Sequence, residues 1–244
     1  MKTVLITGAN RGLGLGMVKY LTHCKKSQRI IATCRNESEE LKQLSEKNHN
    51  VTILHLDVTN FSGYDNLTAQ IKNIVGDQGL NLLINNAGIT TKFTKLGLVK
   101  TEQLMDNLTV NTVAPIMLTK SLLPLLKRAA ELYSGEAVGV ERAAVINMSS
   151  VLGSIAQNDQ GGFYPYRCSK AALNAATKSM SIDLKKESIL VACMHPGWVK
   201  TDMGGKNAPL DVDSSVAGIF NTIENLGEAD SGKFLQYDGT EIPW

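Results

Sequence analysis

The sequence predicts an α/β fold in which seven parallel strands form a doubly wound sheet with helices on both faces. Short apolar runs rich in β-branched residues alternate with longer helical patterns along the 244 residues. A glycine-rich turn follows the first of these runs and opens the first helical pattern. Because βαβ crossovers are right-handed, the doubly wound arrangement is the natural solution for this alternation.

The elements follow from the two kinds of pattern, taken in chain order. The apolar, β-branched runs predict strands at Thr3–Ile6, Arg29–Cys34, Val51–Leu56, Leu80–Ile84, Ala143–Met148, Leu190–Met194 and Lys233–Tyr237. The segments between them predict helices at Gly12–Leu21, Glu37–Lys47, Gly63–Val75, Val110–Leu132, Tyr166–Lys185 and Ser214–Asn225.

The chain is expected to form one domain, residues 1–244, since it contains no internal repeat, low-complexity tract or linker. Two segments are predicted to be loops, Tyr133–Glu141 and Lys200–Asp211. The second contains Gly204, Gly205 and Pro209 and follows the sixth predicted strand. Ligands of doubly wound folds bind at the carboxyl ends of strands, so residues 200–211 are expected to cover a substrate site.

Composition argues against several classes of partner. The formal net charge of +2 gives no electrostatic reason to bind nucleic acid or an anionic membrane. The longest apolar runs fall short of a membrane span, and the N-terminus lacks the pattern of a signal peptide. The four cysteines have no metal-like spacing. We therefore expect a cytoplasmic protein with reduced thiols, no metal site, no nucleic-acid partner and no membrane association.

The glycine-rich turn, Thr7-Gly8-Ala9-Asn10-Arg11-Gly12-Leu13-Gly14, has the spacing GxxxGxG. Glycines here permit a tight turn and the close approach of the backbone to a pyrophosphate. The N-terminus of the following helix offers free N–H groups and a partial positive charge to phosphate. A purely structural turn is the alternative, but the position between the first strand and the first helix favours a dinucleotide cofactor.

The residue at the end of the second strand indicates whether the dinucleotide carries a 2′-phosphate. An acidic residue there would bind the ribose 2′-hydroxyl and favour NAD. This chain has Arg35 instead, and Arg11 lies in the glycine turn. Guanidinium groups pair well with phosphate oxygens, so we predict NADP(H). Either arginine taken alone could equally be a solvated surface residue.

Tyr166 and Lys170 lie four residues apart, and the Ala-rich run after them predicts a helix. Positions i and i+4 share one face of a helix. A nearby cation favours the phenolate and lowers the pKa of a tyrosine, which is otherwise about 10. The pair therefore predicts a tyrosine that exchanges a proton with a carbonyl or hydroxyl oxygen. Taken alone, the same spacing would more often be a solvated helix face.

With these motifs in this order, the chain resembles the short-chain dehydrogenase/reductase family over nearly its whole length. Gly8, Gly12 and Gly14 match the TGxxxGxG turn of the family, and Tyr166 and Lys170 match its YxxxK. The remaining matches are Asp57-Val58 after the third strand, Asn85-Asn86-Ala87-Gly88 as NNAG, Asn111 as the active-site asparagine, Ser149-Ser150 at the fifth strand, and Pro196-Gly197-Trp198-Val199-Lys200-Thr201 as PG-x-V-x-T. The resemblance implies a Rossmann fold and a nicotinamide cofactor.

The resemblance also implies roles for individual residues. The catalytic set is Asn111, Ser150, Tyr166 and Lys170. The implied cofactor contacts are Gly8, Asn10, Arg11, Gly12, Leu13, Gly14, Arg35, Asp57, Val58, Asn86, Ala87, Gly88, Tyr166, Lys170, Pro196, Gly197, Val199 and Thr201.

Four positions near these motifs leave alternatives open. Ser149 competes with Ser150 as the catalytic serine, and family alignment favours Ser150. Tyr164 competes with Tyr166, but only Tyr166 has a lysine at i+4. His195 and Trp198 flank the Pro-Gly segment, and the sequence does not assign a role to either.

At finer grain the chain is similar to the sniffer-type carbonyl reductases, chiefly in Ile146–Ser150, Ser169–Ser179 and His195–Gly205. This resemblance implies NADPH-dependent reduction of small carbonyl compounds. The alternatives are an NADP-linked alcohol or hydroxysteroid dehydrogenase with the same catalytic residues, and a redox sensor that binds nucleotide without catalysis. A homodimer through the long helices and a monomer both occur in the family.

Overall fold

The strands of the computed structural model, which describes residues 1–244, form one parallel sheet. In chain order they are β1 (Thr3–Thr7), β2 (Arg29–Cys34), β3 (Val51–His55), β4 (Leu82–Asn85), β5 (Ala144–Met148), β6 (Leu190–His195) and β7 (Phe234–Gln236). The spatial order is β3-β2-β1-β4-β5-β6-β7, and every pairing is parallel. The doubly wound α/β prediction is confirmed.

Helices cover both faces of this sheet. They are α1 (Gly12–Cys24), α2 (Glu39–Lys47), α3 (Tyr64–Val75), α4 (Thr101–Leu108), α5 (Ala114–Leu132), α6 (Tyr164–Asp183) and α7 (Val212–Glu224). Side chains of α1, α2 and α7 pack in one apolar cluster, and those of α3 and α5 pack in another.

Successive side chains of the strands contribute alternately to the two apolar clusters. In β1, Val4 and Ile6 join the cluster of α1 and α7, whereas Leu5 joins the cluster of α3 and α5. Successive side chains of a strand point to opposite faces, so a strand buried on both sides must be apolar at every position. This explains why the strands are continuous apolar runs, and their parallel alignment brings all the carboxyl ends to one edge, called here the carboxyl edge.

The segment before α5 differs from the prediction. A single helix was expected at Val110–Leu132, but α4 begins at Thr101 and a π-helical turn, Thr109–Val113, joins it to α5. The polar composition of α4 explains why apolar periodicity does not reveal it. The extra residue of a π-turn is frequent at functional sites, and this turn carries Asn111.

Together, α4, the π-turn and α5 make a helical stretch, Thr101–Leu132, that is long and apolar enough to cross a membrane by length and composition. The apolar runs of the sequence predicted no such segment. A buried core helix passes the same test, and Leu118, Leu122 and Leu126 of α5 are fully or almost fully buried against the sheet. Packing in the core therefore accounts for the apolar character of this helix.

At the opposite edge of the sheet, the buried side-chain amide of Asn81 links β1 to the segment before β5. This contact yields a stability test. Asn81 accepts from the Thr3 N–H at 3.1 Å and donates to the Glu141 and Arg142 carbonyls at 3.1 and 2.9 Å. Asn81→Ala leaves these buried groups unpaired, so we expect a loss of about 3 kcal/mol of unfolding free energy. The matched control is Asn225→Ala, because Asn225 makes its bond on an exposed helix end. Equal denaturant midpoints for the two variants would contradict this account.

Candidate active site

The glycine turn lies at the carboxyl edge between β1 and α1. Gly8 and Gly12 have φ of +68° and +53°, conformations that other residues rarely adopt. A Cβ at Gly14 would overlap the Gly8 carbonyl oxygen and lie 2.8 Å from Asn86 Nδ2. No side chain caps the N-terminus of α1, so its first N–H groups are free to bind an anion.

Asn86, at the end of β4, braces this turn. Its Nδ2 donates to the Thr7 and Gly8 carbonyls at 2.8 and 3.3 Å. The backbone N–H groups of Asn86 and Ala87 both donate to Thr7 Oγ1 at 2.9 Å. The NNAG segment therefore holds the shape of the glycine turn through its own side chain and backbone.

A cleft of about 470 Å³ runs along the carboxyl edge from this turn. Of the cofactor contacts predicted from sequence, Gly197 and Val199 do not line the cleft, and neither do the catalytic candidates Asn111 and Ser150. The predicted residues that do line it are Gly8, Asn10, Arg11, Gly12, Leu13, Gly14, Arg35, Asp57, Val58, Asn86, Ala87, Gly88, Tyr166, Lys170, Pro196 and Thr201.

Ten residues outside the predicted cofactor and catalytic sets also line the cleft: Cys34, Asn36, Leu56, Thr59, Ile89, Val110, Met148, Ser149, Asp202 and Met203. Most of them are direct chain neighbours of predicted residues, so the strand-end rule could have found them. Val199 lies outside because it is buried and pairs with Leu210 at the base of the loop. Gly197 has φ +83°, so its backbone forms a turn after β6.

Four charged groups lie at the glycine-turn end of the cleft. Arg35 is exposed and makes no ion pair. Asp57 accepts two hydrogen bonds from Thr59, which lower the pKa of its carboxyl, and the charge of Arg35 lowers it further. Arg11 pairs with Asp202 of the 200–211 loop at 2.8 Å. Because both members of that pair are exposed, it is weak, and Arg11 remains available to an anion.

The two serines at the end of β5 differ in their contacts. Ser149 donates from Oγ to Asn174 Oδ1 at 2.6 Å, so its hydroxyl is engaged with α6. Ser150 Oγ accepts from the Leu152 N–H at 3.2 Å, and its hydroxyl lies close enough to the Tyr166 phenol to lower the pKa of that phenol. The structure thus places Ser150 beside the tyrosine and directs Ser149 away from it, although the Ser149 backbone reaches the cleft.

Tyr166 and Lys170 lie on one face of α6, as predicted, and both are buried. Burial raises the pKa of Tyr166 to about 12, and the hydrogen bond with Ser150 opposes this rise. Lys170 Nζ lies 5.7 Å from the centre of the phenol ring and donates to the Met148 carbonyl at 2.8 Å. Burial therefore dominates the pKa of Tyr166, contrary to the expectation that Lys170 lowers it.

The lysine is itself strongly affected by its surroundings. Burial lowers the pKa of Lys170 to about 8, and the charge interaction with Cys193 partly opposes this effect. Gly88 and Gly153 approach the side chain from two loops: a Cβ on Gly88 would lie 3.7 Å from Nζ, and one on Gly153 would lie 2.8 Å from Lys170 Cβ. The Lys170 ammonium is therefore enclosed on several sides.

Asn111 sits in the π-turn and uses its amide to hold the neighbouring loop. Its Oδ1 accepts from the Ile89 N–H, and its Nδ2 donates to the Ile89 carbonyl and to Ser169 Oγ, each at 2.9 Å. A Cβ on Gly88 would lie 3.1 Å from Asn111 Oδ1. Asn111 thus joins the π-turn, the loop after β4 and α6 next to Lys170.

The structure shows the surroundings of the residues to which the sequence assigned no definite role. Tyr164 begins α6 and does not line the cleft. His195 is buried with Nδ1 unpartnered, and burial lowers its pKa to about 4, so it is neutral near pH 7. Trp198 donates from Nε1 to the Gly204 carbonyl at 2.7 Å and so braces the start of the 200–211 loop.

Comparisons with known proteins agree with this geometry. Residues 2–210 match the family described as short chain dehydrogenase. The carbonyl reductase Sniffer of D. melanogaster is 52% identical, with a TM-score of 0.98 and full coverage of both chains. An NADPH-bound carbonyl reductase from chicken fatty liver is 38% identical, with a TM-score of 0.94, covering 100% of this chain and 99% of that one. The C-signal protein of Myxococcus xanthus is 41% identical over 68% of this chain and 93% of its own length.

Burial of Lys170 predicts a pH-dependent cost to the unliganded protein. Its pKa in the folded chain, about 8, lies below the ordinary 10.5, so between these values the unfolded chain binds more protons. Unfolding free energy therefore rises with pH across this window. We expect Lys170→Met to be more stable than the parent near pH 7, by up to about 3 kcal/mol, with a smaller difference near pH 10.

The measurement is the denaturant midpoint of nucleotide-free protein at both pH values. Lys178→Met serves as the control, since Lys178 is exposed on the same helix. A Lys170→Met protein that is less stable than the parent at both pH values would contradict the assignment of a buried, destabilising ammonium.

Proposed function

The chain belongs to the short chain dehydrogenase family, and from this premise we propose that it reduces carbonyl compounds to alcohols with NADPH. The substrates would be quinones, aldehydes and ketones, and Tyr166 would donate the proton. The observation that carries the proposal is the buried pair of Tyr166 and Lys170 at one end of a cleft whose other end is a glycine turn, with the buried Ser150 beside the tyrosine. The identity to two carbonyl reductases over the whole chain supports it.

The residues of the cleft fit a dinucleotide. The turn at Gly8–Gly14 approaches closely enough that a Cβ at Gly14 would fill it, and the N-terminus of α1 is uncapped. We infer that the pyrophosphate binds here and that Asp57 and Val58 contact the adenine end. Asn86, Ala87, Gly88, Pro196 and Thr201 would line the path toward the catalytic end. NADPH, when bound, supplies the hydride for the carbonyl carbon.

Arg35 would recognise the 2′-phosphate, with Arg11 as a second cation. Arg35 is exposed, lines the cleft and makes no ion pair within 4 Å, so its guanidinium is free to pair with a phosphate. The NADP-bound or NADPH-bound state of several relatives is consistent with this choice. Asp57 is ionised, chiefly because Thr59 donates two hydrogen bonds to its carboxylate, with a smaller effect from the charge of Arg35.

The catalytic roles follow from the contacts at the buried end. Ser150 would hydrogen-bond the substrate carbonyl oxygen and polarise it, since its hydroxyl already lies at the Tyr166 phenol. Tyr166 would give its proton to the developing alkoxide. Lys170 would favour the phenolate that results, because it is a cation on the same helix face. Asn111 would fix the position of the loop after β4 relative to α6 next to Lys170.

The alternatives are separated by one assay. An NADP-linked alcohol or hydroxysteroid dehydrogenase would use the same residues in the oxidative direction, so both directions should be measured with a panel of carbonyls and alcohols. Nucleotide binding without turnover in either direction would indicate a sensor. A cytoplasmic location, a single substrate-covering loop at 200–211 and a homodimer through the long helices stay predictions.

Tyr166→Phe tests the proton donor. The variant keeps the ring but lacks the proton, so we expect the rate of carbonyl reduction to fall at least about 100-fold while the affinity for NADPH changes little. Rates follow from NADPH absorbance and affinity from NADPH fluorescence. The neighbouring Tyr164→Phe is the control and should keep its activity. Near-normal turnover by Tyr166→Phe would exclude this tyrosine as the donor.

Arg35→Asp tests the choice of dinucleotide. Replacing the cation by a carboxylate repels the 2′-phosphate, so the Michaelis constant for NADPH should rise about 10-fold or more while that for NADH rises much less. Lys186→Asp makes the same change in net charge at an exposed site far along the chain, and it should alter neither constant. An unchanged NADPH-to-NADH preference in Arg35→Asp would remove Arg35 from the site.

A further inference from the structure

The segment that leads into α6 has an unusual backbone. Gly161, Gly162 and Phe163 have successive positive φ values of +64°, +65° and +49°. Two of the three are glycines, which adopt this conformation without cost, but a phenylalanine there is strained. Phe163 is also the residue immediately before α6, three positions before Tyr166. Strain of this kind persists only where the surrounding contacts hold it, and it concentrates at functional sites.

The contact that holds Phe163 comes from the loop after β4. The rings of Phe93 and Phe163 pack edge to face, with their centres 5.0 Å apart and their planes at 81°. The Phe93 ring also fills the space beside Gly162, where a Cβ would lie 2.7 Å from ring atom Cζ. Phe93, Gly162 and Phe163 form a unit, called here the aromatic wall, that requires a glycine at its centre.

The aromatic wall joins two segments that each carry a cleft residue, although Phe93 and Phe163 do not line the cleft themselves. Ile89, four residues before Phe93, and Tyr166, three residues after Phe163, both line the cleft. Although it packs on two residues, Phe93 is 51% exposed, so one side of its ring has no protein partner. Phe93 packs on Phe163, which lies one helical turn before Tyr166, so its exposed aromatic face is available to an apolar ligand near that turn.

We propose that Phe93 and Phe163 are specificity-determining residues that bind the flat, apolar part of the substrate. The inference rests on the proposed function, because it places the substrate carbonyl at Tyr166. Its consequence is selective: an aromatic carbonyl compound gains ring contacts from the wall, whereas a straight-chain aldehyde gains little. The wall takes no part in hydride or proton transfer.

Kinetics with two aldehydes test this selectivity. We expect Phe93→Ala to lower kcat/KM for naphthaldehyde about tenfold, mainly through KM, while kcat/KM for heptanal changes less than about twofold. Phe163→Gly should act in the same way, and it removes the ring without adding strain because glycine tolerates positive φ. Ile182→Ala alters an exposed apolar residue at the far end of α6 and is the matched control. It should leave kcat/KM unchanged for both aldehydes.

Binding separates this inference from the proposed function. The affinity of the NADP-bound protein for naphthol, which has the ring system but no carbonyl group, is measured by calorimetry for the same variants. Weaker naphthol binding in Phe93→Ala supports the wall even if the parent protein reduces neither aldehyde, in which case the proposed function fails alone. Equal losses of kcat/KM for the two aldehydes would overturn the inference, and so would an unchanged affinity for naphthol in both variants.

Discussion

The buried ammonium of Lys170 is the constraint around which the carboxyl edge is arranged. Water is largely excluded from it, so the charged form is disfavoured and its pKa falls to about 8. The protein offers it one carbonyl, that of Met148 at 2.8 Å, at the end of β5. Two glycines, Gly88 and Gly153, let their loops close over the side chain. A site of this kind costs stability in the empty protein and keeps a cation close to the phenol of Tyr166.

A layer of buried amides and hydroxyls holds that arrangement in place. Asn85 Nδ2 donates to Asn147 Oδ1 at 2.8 Å, and Asn147 in turn donates to Thr177 of α6 at the same distance. These bonds tie β4, β5 and α6 together directly behind the cleft. Ser149 and Asn174 add a second link between β5 and α6 at 2.6 Å. Fully paired polar networks of this kind specify one geometry, which is what positioned proton transfer requires.

The sheet, its order of elements and most of the cleft could be predicted because strand periodicity and strand-end motifs are local in sequence. The chain position of Tyr166 and Lys170 likewise follows from helical spacing. Local patterns could not supply α4, whose residues are mostly polar, or the burial that raises the pKa of Tyr166. They also could not show that Val199 pairs with Leu210 instead of facing the cleft. Each of these depends on what packs against the residue, and the sequence motif does not contain that information.

The proposed chemistry depends on the Lys170 cation stabilising the Tyr166 phenolate that forms as the proton leaves. It is tested most directly by the pH dependence of kcat/KM for carbonyl reduction in the parent protein and in Lys170→Met. Lys170 has a pKa of about 8, so its charge is present below that pH and lost above it, and the parent rate should fall as pH rises through this value. Lys170→Met has no charge to lose there, so its rate should be lower than that of the parent below pH 8 and should show no fall at this pH. The same pH dependence in both proteins would contradict the account.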